Sequence, residues 1–273
     1  NEPCWVRQVN DFSATWKNTS GLLRYDLDLT NSAMLYSSVA SGFKSGHIQD
    51  AGNSAKPETV INYELGLKSQ FFDDQLRFNA ALYRADYKDL QFSNQDRLDT
   101  NGDGVADSGG STVVRNASEA TIQGFEIENQ WMPRYDLMFE LNYAFLDATY
   151  DKYTPTTGDA TGDELIASPR HKINLATQVF HDINSGTLSY RLEYAWQDQQ
   201  HFTAPNQDVS FQAAYGLMNM RTAYQSADEK WELQAYVENA TNKAYSTSSR
   251  EFPAGSVGIT KDINPPRTFG MKV

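Results

Sequence analysis

The sequence predicts an all-β fold: a transmembrane antiparallel β-barrel, present here as a partial wall of about eleven strands. Three observations predict it. Period-two alternation of apolar and polar residues recurs along most of the 273-residue chain. Short turns and long polar loops succeed one another in strict alternation. Aromatic residues make up 12% of the chain, with 15 Tyr and 14 Phe, although hydrophobic residues reach only 40% and mean hydropathy is low. Abundant rings in a chain of low hydropathy place the apolar surface on alternating faces rather than in continuous runs. A membrane helix needs roughly 20 consecutive apolar residues, which are missing here, whereas a barrel strand needs only about 9–11 alternating ones.

The elements follow in order. In Ile61 to Lys68 the odd positions are apolar and the even ones polar or small. Leu76, Phe78, Ala80 and Leu82 keep one phase, which then shifts to Tyr83, Ala85 and Tyr87. The shift marks either a β-bulge or the point where the strand rises above the bilayer. Phe125, Ile127 and Trp131 form an outer set interrupted by Asn129. Leu137, Phe139, Leu141, Tyr143 and Phe145 alternate cleanly, as do Ile173 to Val179, Leu188 to Trp196 and Trp231 to Val237. Successive strand side chains point to opposite faces, so each segment has one apolar side and one hydrated side.

The connections carry as much weight. Short turns are expected at Thr30–Ser32, Phe72–Asp74, Met132–Asp136, Asp182–Gly186 and Ser226–Lys230. Long loops are expected at about Phe43–Glu58, Phe92–Arg115, Asp151–Pro169, Phe202–Gln212 and Ser246–Pro265. Tight turns on one side and long loops on the other are the outer-membrane pattern. Bacterial single-chain barrels have even strand numbers, so eleven strands leave two edges, and missing strands are expected upstream or from another chain.

Charge and motifs exclude several functions. A net charge of -12 supplies nothing to neutralise a phosphate backbone, so nucleic acid is no partner. The single cysteine, Cys4, offers neither an internal disulfide nor a zinc cluster. No nucleophile elbow, phosphate loop or dinucleotide fingerprint is present, and no enzyme is expected. Glu64, Lys68, Glu126, Glu128, Glu140, Arg191, Glu193, Glu232 and Glu238 read as lumen-facing wetted residues rather than catalytic acids. The sequons at Asn18, Asn116 and Asn239 read as chance matches.

One local signal points to a metal. Asp99, Asn101, Asp103 and Asp107 stand at positions 1, 3, 5 and 9 of a calcium-type loop, with Gly104 at the sharp turn. Gly110 occupies the place of the bidentate Glu, and the alternative is a solvated loop turning on Asn-Gly and Asp-Gly. Structural calcium is the one cofactor expectation; none is required. Of the scattered histidines, only His47 and His201 lie in or beside expected loops where a ligand could touch them. Tyr153, Phe202 and Phe211 are the loop rings considered for ligand stacking. Tyr36, Tyr87, Trp131, Tyr150, Trp196, Trp231 and Tyr245 are expected in the interfacial girdles.

Several stretches resemble the C-terminal barrel half of TonB-dependent receptors, in particular the ferric-siderophore branch. They are Tyr36 to Gly46, Lys56 to Lys68, Phe78 to Gln91, Asn116 to Glu128, Val237 to Tyr245 and Pro266 to Gly270, in the family's order. The resemblance runs from about Phe12 onward. It implies residues 1–273 as the C-terminal portion of a plugged barrel of about 22 strands in the bacterial outer membrane. It further implies TonB-energised uptake of a scarce nutrient, most nearly a ferric siderophore. TonB with ExbB and ExbD would engage a part N-terminal to this chain, and outer-membrane lipid would surround the barrel. Two departures stand out: neither plug nor TonB-engaging segment lies within the chain, and Val273 stands where a terminal aromatic is usual. Other ligands (haem, cobalamin, an oligosaccharide) and a passive porin-like channel are the alternatives.

Overall fold

In the computed structural model, which describes residues 13–48, 54–95, 112–153, 159–251 and 259–273, eleven strands form one antiparallel sheet. They are β1 (Leu22–Thr30), β2 (Ala33–Lys44), β3 (Glu58–Phe71), β4 (Leu76–Gln95), β5 (Thr112–Arg134), β6 (Leu137–Tyr153), β7 (His171–Ile183), β8 (Gly186–Gln197), β9 (Tyr215–Ser226), β10 (Glu232–Glu238) and β11 (Thr268–Lys272). Each pairs with its sequence neighbour, giving an up-and-down meander with no crossover. Short two-stranded hairpins lie within the loops, as does one turn of 3-10 helix at Asp208–Ser210. No described helix is long and apolar enough to cross a membrane.

Register puts the alternating residues in common rows. Leu65, Leu82, Phe125 and Phe145 are successive ladder partners across β3 to β6. Thr177, Leu192, Met220, Val237 and Phe269 run likewise across β7 to β11. One face of the sheet is therefore an apolar belt. Leu141, Leu175, Tyr190, Leu192 and Phe139 stay solvent-exposed on it, an arrangement that water penalises and hydrocarbon rewards. Ring pairs stiffen the belt, with Trp131 stacked on Phe139 at 5.7 Å and Phe125 against Phe145 at 5.7 Å.

The irregular phase of β4 resolves in favour of the strand rising above the bilayer. Its pairing with β3 is unbroken from Leu76 to Lys88, so no bulge occurs at Tyr83. The belt face continues instead through Arg84 and Asp86, joined by an ion pair of 2.9 Å. Arg84 also donates to Gln123 at 3.4 Å, and Gln123 donates to Asp147 at 3.1 Å. That polar row ends the belt. The register shifts come later, beyond Tyr87, where Asp89 has a φ of 54°.

On the opposite face, tyrosines lie over glycines of the next strand. Tyr36 pairs with Gly66, Tyr83 with Gly124 and Tyr236 with Gly270. A Cβ on Gly66 would overlap the Tyr36 ring, so glycine there makes the room that the ring fills. At the short-turn end, Asp73 and Asp74 take φ of 52° and 65°, a conformation Asp tolerates better than most residues.

Among the described residues, the two outer strands are paired on one side alone. On β1, Leu23 is 77% exposed, and on β11, Phe269 is 81% exposed. Backbone groups in lipid must be satisfied, so this sheet is a partial barrel wall.

Several expectations need correction. Tyr36, Tyr87 and Tyr150 stand on the polar face, and Tyr245 stacks on Tyr215 at 4.0 Å in a loop. Only Trp131, Trp196 and Trp231 of that set face the belt side. The loops also differ in length: β4 and β5 run on to Gln95 and from Thr112, while the loop after β8 covers 198–214 and that after β10 covers 239–267. Asn-rich capping, not strand pairing, shapes the start of the last loop. Asn239 and Asn242 take φ of 50° and 53°, and Asn239 Oδ1 accepts from the Lys243 backbone N–H at 2.8 Å.

Candidate functional site

The polar face carries the expected charged set. Glu64, Lys68, Glu126, Glu128, Glu140, Arg191, Glu193, Glu232 and Glu238 all stand on it, because each falls out of phase with the belt residues of its strand. Tyr36 donates its hydroxyl to Glu64 at 2.6 Å, and the Arg24 guanidinium lies 4.4 Å from the Tyr36 ring centre. A hollow of about 640 Å³ in front of them is lined by Asp28, Lys68, Arg77, Asn79, Glu126 and Glu128 among others. Farther round, Arg191 bonds Glu140 at 2.6 Å and Glu193 at 2.5 Å, and reaches Gln178 at 3.3 Å. This wall can hold water and charged groups, and no nucleophile–base pair is arranged on it among the described residues.

The described part of the loop after β6 folds back along that strand, with Tyr150 N–H donating to the Asp163 carbonyl at 3.0 Å and Leu165 N–H to the Ala148 carbonyl at 2.9 Å. It packs on the lumen side, where Ala120, Tyr150, Tyr153 and Ala160 form a buried cluster with Tyr87, Leu90, Phe92 and Leu165 against it. Tyr153 is 2% exposed and lies 4.7 Å from Tyr150, so it is an internal ring, not one free to stack on a ligand. Burial pushes its phenol up to about 12, and it stays a neutral hydroxyl at physiological pH. The sequence holds one signal for this cluster: Tyr150 is out of phase with Phe145 and so has to face inward.

Neighbouring loops are stitched together. Asn206 N–H donates to Asp163 at 2.9 Å and Ala167 N–H to the His201 carbonyl at 2.8 Å, joining the loops after β6 and β8. Ser246 N–H donates to Gln212 at 2.7 Å and Lys261 to the Phe211 carbonyl at 2.9 Å, joining the loops after β8 and β10. On the other side, Asn116 receives the Lys56 N–H at 2.6 Å and donates to the Lys56 and Asp89 carbonyls at 2.9 and 2.7 Å.

The remaining candidate residues separate in space. His201 lies against Phe211 at 5.4 Å with its Nδ1 buried and unbonded, while His47 is exposed on a small loop hairpin. His171 bonds Tyr143 at 2.8 Å on the belt side. Asp99, Asn101, Asp103 and Asp107 lie outside the described residues. Among those described, no three His, Cys, Asp or Glu side chains gather to hold a metal.

Residues 5–240 match the family described as TonB dependent receptor-like, beta-barrel. The chain belongs to this family. Its members are transport receptors of the outer membrane rather than enzymes, and the apolar belt fits that location. The chain is 25% identical over 263 residues to the ferric-pyoverdine M114 receptor PbuA of Pseudomonas sp. (strain M114), covering 90% of this chain and 28% of that receptor. A ferric-pyoverdine 358 receptor of Pseudomonas putida is 33% identical over 102 residues, which is 37% of this chain and 12% of that one. This TonB-dependent receptor chain thus spans under a third of the curated relatives it matches. Among solved structures, the ferric yersiniabactin uptake receptor FyuA from Yersinia pestis superposes with a TM-score of 0.74 at 21% identity, covering 92% of this chain and 36% of that one. The copper transporter OprC gives 0.69 at 18% identity, with 92% and 39% covered. The fold is therefore shared by carriers of different cargo.

Proposed function

We propose that residues 1–273 act as the C-terminal portion of the barrel of a TonB-energised outer-membrane receptor that imports a ferric siderophore. The observation that carries the ligand class is the alignment along 90% of the chain with a ferric-pyoverdine receptor. The structure supports the division of labour. The belt holds the wall in lipid, the polar face lines the passage, and the stitched loops with their inward-facing cluster frame the mouth. In this reading TonB, with ExbB and ExbD, acts through a part of the receptor N-terminal to this chain. Calcium at Asp99, Asn101, Asp103 and Asp107 is proposed from spacing alone.

The test is uptake of radioactive iron bound to candidate siderophores in cells carrying or lacking the gene, with and without a functional TonB. Iron uptake that depends on both supports the proposal. Uptake that persists without TonB contradicts the energised reading, and unchanged growth and uptake under iron limitation in the deletion strain contradicts the ligand class.

A further inference from the structure

Asn129 breaks the apolar belt of β5 between Ile127 and Trp131. Phe78 of β4 and Leu141 of β6 are its ladder partners, so its amide faces lipid among hydrocarbon side chains. The side chain makes no hydrogen bond with any described residue. Depth sharpens the problem. Leu141 is the centre of the outward run Leu137–Phe145 on β6. Asn129 stands five residues from the Arg134 end of β5, much as Leu192 stands six from the Gly186 end of β8. The amide therefore lies near mid-depth, roughly 10 Å from either edge of the ~25 Å apolar band. Lipid ester and headgroup oxygens are out of its reach there, and an amide without a partner in hydrocarbon is strongly penalised. Beside it a hollow of about 520 Å³ opens on the same face, lined by Trp131, Phe139, Leu141, Leu175 and Tyr194 among others.

We propose that this part of the belt is an interface with a second copy of the protein in the plane of the membrane, centred on a hydrogen-bonded pair of Asn129 amides. A closed pair of like subunits sets one patch against itself across a twofold axis, so a residue near the axis meets its own counterpart. A primary amide suits that position. It carries donors on Nδ2 and an acceptor at Oδ1, so two of them can exchange two N–H···O bonds, and no other species is needed to satisfy either. Apolar contact alone gives little net attraction between lipid-facing surfaces, because lipid chains are as apolar as the side chains they would replace. The amide is what distinguishes this face from the rest of the belt, and the hollow beside it receives the belt side chains of the other copy.

The full-length protein, labelled with donor and acceptor dyes, is reconstituted in phospholipid vesicles over a range of protein-to-lipid ratios, and energy transfer reads self-association. Asn129→Leu is expected to weaken the pair roughly 3- to 20-fold while still migrating as folded on unheated gels. A second measurement does not depend on that variant. In native outer membranes, with the natural cysteines replaced, Asn129→Cys is expected to give a disulfide-linked homodimer under a mild oxidant. Val237→Cys, on the belt of β10 five strands away, is expected to give none. Three results overturn the proposal: association unchanged by Asn129→Leu, no association at any density, or a position-129 disulfide to a different protein.

Discussion

Substituting Leu192 by arginine tests the belt directly. From Leu188 to Trp196 the outward side chains of β8 span about 27 Å at ~3.4 Å per residue. With a strand tilt of ~40° this gives roughly 21 Å of height, inside the ~25 Å apolar band of such barrels. Leu192 is at the middle of that run, with Thr177 and Met220 as its ladder partners, so its side chain meets the centre of the bilayer. An arginine at mid-depth on the lipid face costs about 2–4 kcal/mol, a roughly 30- to 700-fold loss in folding equilibrium. The control is Ala176→Arg. Ala176 faces the lumen and pairs with Glu140 and Glu193, so a new cation there has acidic neighbours and is expected to cost under about 1 kcal/mol. Urea titration of the full-length protein in phospholipid vesicles, followed by tryptophan fluorescence, reads both. If Ala176→Arg proves as damaging as Leu192→Arg, the assignment of the two faces is wrong.

Other perturbations test the polar face, the turns and the loops. Gly66→Val should cost about 1–3 kcal/mol, because the new side chain displaces the Tyr36 ring; Tyr36→Ala in the same background should recover part of the loss in the same titration. Arg191→Met leaves Glu140 and Glu193 without their shared cation and should cost about 1–2 kcal/mol, below the figure for a fully buried pair because this face is wet. A double-mutant cycle with Glu140→Gln checks it by a nonzero coupling energy. In the turn after β9, the Ser226 hydroxyl and Lys230 hold the Asp228 carboxyl below its ordinary value. A depressed folded value means its contribution is present at neutral pH and is lost as pH falls from the ordinary aspartate range through the folded one. Protection of the Lys230 and Trp231 amides from hydrogen exchange, taken relative to the intrinsic rate at each pH, should therefore fall in acid, and Asp228→Asn should abolish that loss. Calorimetric titration of calcium should show heat that Asp103→Ala removes; identical heats would end the calcium proposal.

Most of the wall is legible in the sequence because a strand's period is two and lipid enforces it. Leu137 to Phe145 and Leu188 to Trp196 can be assigned to a face without any partner, since one slip would expose every polar neighbour to hydrocarbon. Residue type misleads where phase should decide. Tyr36 and Tyr150 look like girdle rings by chemistry, although their phase puts them inside, where Gly66 makes room for one and Ala120 pairs with the other. Loop limits escape for a different reason. Strand pairing above the bilayer rests on backbone bonds and carries no apolar alternation, so the extension of β4 to Gln95 leaves no trace in hydropathy. The stitches between loops, such as Asn206 to Asp163, depend on backbone positions that no local pattern encodes.

Those stitches bear on how such a receptor changes its specificity. Asp163, Gln212 and Asn116 each hold the backbone of a neighbouring segment, so replacing one crown segment alone withdraws a hydrogen bond its neighbour relies on. Engineering a new cargo preference should therefore succeed when adjoining segments are transplanted as a set, and natural divergence at the rim should proceed in linked blocks.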